Sequence, residues 1–251
     1  MADTYIVTSS DLTSVANAIR TKTGSSAQLT FPAGFTTAIG NIQNAPATYI
    51  EETYDDSDNL VSAIVHGCTK IRQSVFRYSS YLTQVTIPNN VTEIAPQAFD
   101  HCDQLATVNL PDTITLIDSN AFQACLAFNT EKLPDGLKEL GLMAFYGCRL
   151  LTLANLPASV KTIGSEAFGQ CQKLALTTFP ATLTSIGAKA FYNCIGLTTL
   201  TFQGTPTAIA ADAFEGCTNL TTINVPWAEG AVANAPWGAT NAAVSYNYTA
   251  T

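Results

Sequence analysis

Apolar residues recur along most of this chain at one fixed interval. A phenylalanine preceded by a small apolar residue stands at Phe76, Phe99, Phe122, Phe145, Phe168, Phe191 and Phe214, a constant 23-residue period. Five positions earlier come Ile71, Ile94, Ile117, Leu140, Ile163, Ile186 and Ile209, and six positions later Leu82, Leu105, Phe128, Leu151, Leu174, Leu197 and Leu220. Eleven positions later come Ile87, Leu110, Leu133, Leu156, Phe179, Phe202 and Val225, usually followed by proline, with Gln203 as the exception. The last six phenylalanines are followed three positions on by Cys102, Cys125, Cys148, Cys171, Cys194 and Cys217. Columns that hold without insertion through seven turns are the mark of a repeat architecture.

Each unit predicts two elements. Leu82 to Pro88 alternates at Val85 and Ile87, the period of a short strand. Pro88 has no N–H to give to a neighbouring ladder and ends it. Ile94, Ala98, Phe99 and Cys102 have the spacing of a helical or 3₁₀ turn on the opposite side. One such unit cannot bury its own apolar edge, whereas stacked units cover one another. The strands would then pair in parallel at about 4.8 Å, giving an arc roughly 30–35 Å long.

The pattern L-x-x-[VI]-x-[ILF]-P…[IL]-x-x-x-A-F-x-x-C resembles the BspA-like class of bacterial leucine-rich repeats. It reads here as LTQVTIPNNVTEIAPQAFDHC and LTTLTFQGTPTAIAADAFEGC, and covers residues 60–226 in about seven coils. The resemblance implies a right-handed leucine-rich-repeat solenoid, an α/β repeat with a parallel sheet on one face and short helical turns opposite. It also implies a surface-exposed adhesion or interaction protein rather than an enzyme.

The ends depart from the repeat. In residues 1–45, Ser10 or Asp11 can cap a helix whose face is Leu12, Val15, Ala16 and Ile19, and Gly24 ends it. A second amphipathic stretch carries Phe35, Ile39 and Ile42. This helix–loop–helix resembles the N-terminal segment of tail-associated structural proteins of phages and prophages of gut bacteria. It reads equally as a small helical cap over the first coil, because a solenoid needs one. Residues 46–59 hold five acidic side chains and no basic ones, and read as a linker or an irregular first coil. Residues 227–251 follow Val225-Pro226 and include Trp227 and Trp237, each tryptophan preceded by proline, and are expected to close the last coil.

Composition narrows the function. With 11 Lys+Arg against 19 Asp+Glu the net charge is −8, which argues against nucleic acid or an anionic membrane as the main partner. No apolar run approaches the ~20 residues of a membrane span, so no membrane insertion is expected. The start, MADTYIVTSSDLTSV, lacks the basic and apolar regions of a secretory signal, so a virion-associated or cytoplasmic place is expected over classical secretion.

Chemistry-bearing residues are sparse. The six column cysteines read as small buried hydrophobes with free thiols. They lack the paired C-x₂-C spacing of a zinc site, and Cys68 stands apart from them with no assigned role. Of two histidines, His66 could form half a metal site with Cys68, and His101 lies in the string Asp100-His101-Cys102. Adjacent residues rarely converge their side chains, so no catalytic residues, cofactor or metal site are assigned. Phosphate-loop, dinucleotide and nucleophile-elbow motifs are missing from the sequence.

The outward strand positions remain as the candidate interaction face. One row is Gln84, Thr107, Thr130, Leu153, Leu176, Thr199 and Thr222, and the next is Thr86, Asn109, Lys132, Asn155, Thr178, Thr201 and Asn224. The face is neutral and free of aromatics, so it suits a protein more than a polysaccharide. Leu153 and Leu176 are expected to form a small exposed apolar spot for a partner protein or sister subunit. Residues 1–45 offer a route to a homo-oligomer.

Overall fold

The computed structural model of this chain describes residues 48–249. The helical segment expected within residues 1–45 lies outside the described residues.

The repeat folds as a stack of coils with parallel strands on two sides, bearing out the solenoid with its 23-residue spacing. On the first side, β1 (Tyr49–Tyr54), β2 (Leu60–His66), β4 (Gln84–Thr86) and β6 (Thr107–Asn109) form one sheet. A second piece of the same side comprises β10 (Thr178–Phe179), β12 (Thr199–Phe202), β14 (Thr222–Asn224) and β15 (Ala243–Ser245). On the other side lies a seven-stranded sheet of very short strands. In stacking order they are β3 (Lys70–Ile71), β5 (Glu93–Ile94), β7 (Leu116–Ile117), β8 (Glu139–Leu140), β9 (Thr162–Ile163), β11 (Ser185–Ile186) and β13 (Ala208–Ile209). The register advances by one full repeat from strand to strand, as in Ile94↔Ile117 and Ile163↔Ile186.

The turn that the spacing predicted as helical or 3₁₀ is not a helix, and no helix occurs among the described residues. In each turn from Phe76 to Phe191 two residues take left-handed φ, two positions either side of the phenylalanine, and in the turn of Phe214 only Gly216 does. In the second coil these are Gln97 (φ 59°) and His101 (φ 57°). A left-handed residue ends the i→i−4 ladder. Alternate N–H groups therefore point out of the turn to the next coil: Gln97 donates to Ser119 O, Phe99 to Ala121 O and His101 to Gln123 O, all at 2.8–2.9 Å. The groups between them, Ala98, Asp100 and Cys102, donate three residues back within their own turn. Those local bonds share a helix's spacing, which is why the apolar pattern imitates one.

Inside, the phenylalanines form a continuous column. Successive rings from Phe76 to Phe214 lie 4.9–5.6 Å apart and 9–17° from parallel. All seven are buried. This is the offset-stacked geometry that adds to simple area burial. The cysteines line up beside them, each donating its S–H to the carbonyl of the phenylalanine 26 residues earlier: Cys102 to Phe76 O at 2.9 Å, Cys148 to Phe122 O at 3.1 Å, Cys217 to Phe191 O at 3.0 Å. A buried carbonyl left unpaired costs about 1–3 kcal/mol, so a small apolar side chain with one donor fits the position. Coils approach closely at Gly141, Gly164 and Gly187, where an added Cβ would fall 2.5–2.6 Å from the backbone of the preceding coil.

The ends depart from the repeat. Tyr49–Tyr54, within the stretch read as a linker or irregular first coil, is strand β1 and pairs antiparallel with β2. At the far end Trp227 and Trp237 are buried and pack edge to face 6.3 Å apart, both against Phe202. Trp237 donates from Nε1 to Ala233 O at 2.7 Å.

Candidate interaction face

The outward rows of the first side begin regularly. In β4 and β6, Val85 and Val108 turn inward and are buried, so Gln84, Thr86, Thr107 and Asn109 face out and are exposed. Pairing Gln84↔Thr107 and Thr86↔Asn109 fixes the rows. The last coils repeat this arrangement, with Leu200 and Ile223 inward and Thr199↔Thr222 and Thr201↔Asn224 paired.

The middle does not follow. The position of Val85 and Val108 is filled by Glu131, Ala154 and Thr177 in the next three coils, none of which can anchor a strand in the core. Phe128 instead stacks between Phe122 and Phe145, at 4.9 and 5.9 Å. Leu153 and Leu176 turn inward and are buried at 0% and 1% exposure. The expected exposed apolar spot at Leu153 and Leu176 is therefore corrected: burying a leucine stabilises by about 1.5–3 kcal/mol, and each coil takes its nearest leucine into the core. Ala154 and Thr177 face solvent in their place. A single isolated bridge, Asn155↔Thr178, ties this region to the second strand group.

The central row residues are also occupied by bonds of their own. Thr130 donates to Lys132 O at 2.8 Å, and Thr178 donates to Asn155 Oδ1 at 3.1 Å. Lys132 is held between Asp112 and Asp135 at 3.4 and 3.2 Å. The hydrogen bond to Asp135 leads in pushing the Lys132 ammonium pKa up, and Asp112 adds to it. Asn109 both donates to Ile87 O and accepts from Ile87 N–H, and Asn224 donates to Thr201 Oγ1. By contrast, the side chains of Gln84, Thr86, Thr107, Thr199 and Thr222 make no hydrogen bond among the described residues.

The residues weighed for catalysis separate. Asp100 accepts from Arg77 Nε at 2.9 Å and lies 2.6 Å from His101 Nδ1. Cys102 turns into the core, and burial pushes its thiol pKa up to about 12. Acid and imidazole thus meet while the thiol does not. His66 stacks on Tyr49 at 4.4 Å with Nε2 3.4 Å from Glu51, and Cys68 packs in the apolar core. No group of three or more metal-ligating side chains occurs among the described residues.

One cluster escaped sequence reasoning. Asp100, 2% exposed, is the single buried charged residue among those described, and it anchors Arg77 and His101 at the turn edge. The Arg77 guanidinium lies 4.6 Å from the centre of the Tyr78 ring, and Tyr78 and Tyr81 are the most exposed large hydrophobic side chains among the described residues, at 61% and 56%. The signal was present as a break in the columns: Arg77 and Asp100 share one column position, Tyr78 and His101 the next.

The sequence matches the BspA type leucine rich repeat region over residues 69–175 and 140–229, more than half of the chain. This chain belongs to the BspA-type leucine-rich repeat family. The BspA-type coils are similar to those of a leucine-rich repeat protein from Bacteroides ovatus, at 18% identity and a TM-score of 0.43 over 78% of this chain and 75% of that one. They are also similar to a leucine-rich repeat protein of T. pallidum, at 21% identity and a TM-score of 0.42, covering 70% and 82%. A leucine-rich cell surface protein from Faecalibacterium prausnitzii matches at 23% identity and a TM-score of 0.40, covering 73% and 71%. No curated protein matches the BspA-type chain in sequence.

Proposed function

We propose that this chain is a non-enzymatic scaffold that engages a partner protein through the first side of the solenoid. One observation carries the reading: the unbonded side chains of Gln84, Thr86, Thr107, Thr199 and Thr222 stand in strand register on the two intact pieces of that side. The central residues are consumed by bonds within the solenoid, so contact falls on two rigid patches that flank the strand break. A neutral Thr/Gln patch offers donors and acceptors without long-range charge, which suits a protein surface of mixed polarity.

Two settings accommodate such a scaffold. In the first, the chain is a structural part of a phage or prophage tail, with residues 1–45 attaching it; that segment's resemblance supports it. In the second, it is an adhesion or interaction protein of a bacterial cell, and membership of the BspA-type family supports it. Tail-tube and lysis genes on either side of its gene would decide for the first.

The face itself is tested by substitution. Thr107→Arg and Thr199→Arg should abolish retention of the purified chain on bacterial cells or tail particles. Ala208→Arg, on an exposed position of the other sheet, should leave it intact. Retention that survives both threonine changes would move the contact elsewhere.

A further inference from the structure

The turn of the first coil carries a tyrosine where the backbone favours a smaller residue. Tyr78 has left-handed φ, 63°. In later coils the same position is held by Ala124, Gly147, Asn193 and Gly216, among others. Glycine and asparagine suit that conformation, and a bulky aromatic in it is uncommon. Nor does the ring serve the core. Tyr78 and Tyr81 are the only exposed large hydrophobic side chains between Val65 and Cys125. Packing accounts for neither ring.

The Tyr78 ring is nevertheless held in place. Arg77 Nη2 donates to the Tyr78 hydroxyl at 3.0 Å, and the guanidinium carbon lies 4.6 Å from the ring centre. The His101 ring lies 5.2 Å away on its other contact, tilted by 47°. Both flanking residues are tied to the buried Asp100, Arg77 Nε at 2.9 Å and His101 Nδ1 at 2.6 Å. One buried carboxylate thus fixes both residues that fix the ring, and a ring ordered beforehand loses little freedom on binding. The surroundings are polar. Ser79 and Ser80 belong to the same turn, and Asp103 and Gln104 stand one coil on from Ser80 and Tyr81. Arg77 has spent two of the five guanidinium N–H groups, and His101 keeps Nε2.

We propose that this turn edge binds a neutral glycan of β-1,4-linked hexopyranose units with equatorial hydroxyls. Tyr78 and Tyr81 stack on the sugar faces, and Arg77, His101 and Gln104 bond to the hydroxyls. Such a sugar carries C–H groups on its flat faces and hydroxyls around its rim. The C–H groups match the negative face of an aromatic ring, and the rim needs polar side chains close by. A protein partner would instead want an apolar patch wide enough to exclude water, and these rings have only polar neighbours. Asp100 offsets Arg77, so the edge offers hydrogen bonds with little net charge, which fits a neutral sugar over a sulfated or carboxylated one. Three residues separate the two tyrosines, at most about 10 Å of chain, so both rings can serve one oligosaccharide. The site lies off the strand face proposed for a protein partner and does not depend on it.

Cellohexaose and chitohexaose are the probes. Saturation-transfer NMR with the full-length chain should show transfer to the ring protons of at least one of them. Tyr78→Ala and Tyr81→Ala should each weaken binding about fivefold or more, and the double variant should abolish the transfer. Tyr78→Trp should keep it. Thr199→Arg, on the strand face, should leave it unchanged, which separates this site from that face. Exposed positions of this kind leave the thermal melt nearly unchanged. If Tyr78→Ala lowers it through the Asp100 network, Tyr81→Ala decides, because Tyr81 has no bond to that network among the described residues. No transfer to either oligosaccharide, or transfer that survives in the double variant, would overturn the proposal. So would a double variant that loses retention on bacterial cells while neither oligosaccharide competes for it, because the ligand would then be a protein.

Discussion

The two sides of this solenoid are made by the same repeat and behave differently. The seven-stranded side runs unbroken from β3 to β13, and the turns that follow it carry the stacked phenylalanines and the cysteine ladder. The first side is split in the middle, where Glu131, Ala154 and Thr177 replace the inward valines. The difference teaches where the fold keeps its specification. On the turn side each residue has an inter-coil job: a left-handed turn position, a ring in a column, an S–H on a carbonyl. On the first side a coil can lose its strand, take a different leucine inward, and remain in the stack. Variation there leaves the stack in place, in keeping with the partner surface proposed for this side.

The sharpest way to break this contrast is alkaline pH. Burial raises the thiol pKa of all six column cysteines, to about 12 at Cys102 and Cys217 and well upward at the four between. An unfolded thiol titrates near 8.5, so above that pH the unfolded chain binds fewer protons than the native one, and stability falls as pH rises. The loss should run from about pH 8.5 toward about 12, at about 1.4 kcal/mol per pH unit for each thiol. Urea midpoints at pH 7, 9 and 10 should drop steeply and together; a flat profile would mean the cysteine ladder is not interior.

Truncating the ring column comes next. Phe145→Ala should cost about 3–5 kcal/mol. Phe76→Ala should cost less, because among the described residues Phe76 has a ring neighbour on one side only. Equal losses in denaturant titration would contradict a stacked column. Leu153→Ala then tests the split side directly. A buried leucine predicts a loss of about 2–4 kcal/mol, whereas an exposed one would leave stability nearly unchanged. The smallest effects belong to the outward rows: Thr107→Arg and Thr199→Arg should each stay within about 0.5 kcal/mol of wild type by thermal melt.

Much of this architecture could be read from spacing alone, because a column of identical side chains forces successive coils into register. Three features could not. The turns imitate a helix because their i−3 bonds share its period, and the left-handed residues that interrupt it are as varied as Gln97, Met143 and Lys189. Leu153 and Leu176 sit in columns that face outward elsewhere. The clue was one position on, where an apolar residue is lacking, and it shows only when neighbouring columns are weighed together. Cys68 fell outside the cysteine column yet belongs to the aliphatic one. Of the candidate face, the rows were legible; which members stand unbonded was not, since that depends on the side-chain bonds between coils.

The direction of the inter-coil bonds has an electrical consequence. Along both strand sides each coil donates backward, as Thr92 N–H does to Thr69 O and Ala106 N–H to Thr83 O. Along the turns each coil donates forward, as Phe76 N–H does to Ala98 O. Peptide dipoles that add head to tail in a helix here run antiparallel and largely cancel along the axis. The stack therefore grows without accumulating charge at its tips, and no coil feels the length of the whole. Each interior coil instead shows one row of donors beside one row of acceptors to either neighbour, so every joint along the stack is the same head-to-tail joint.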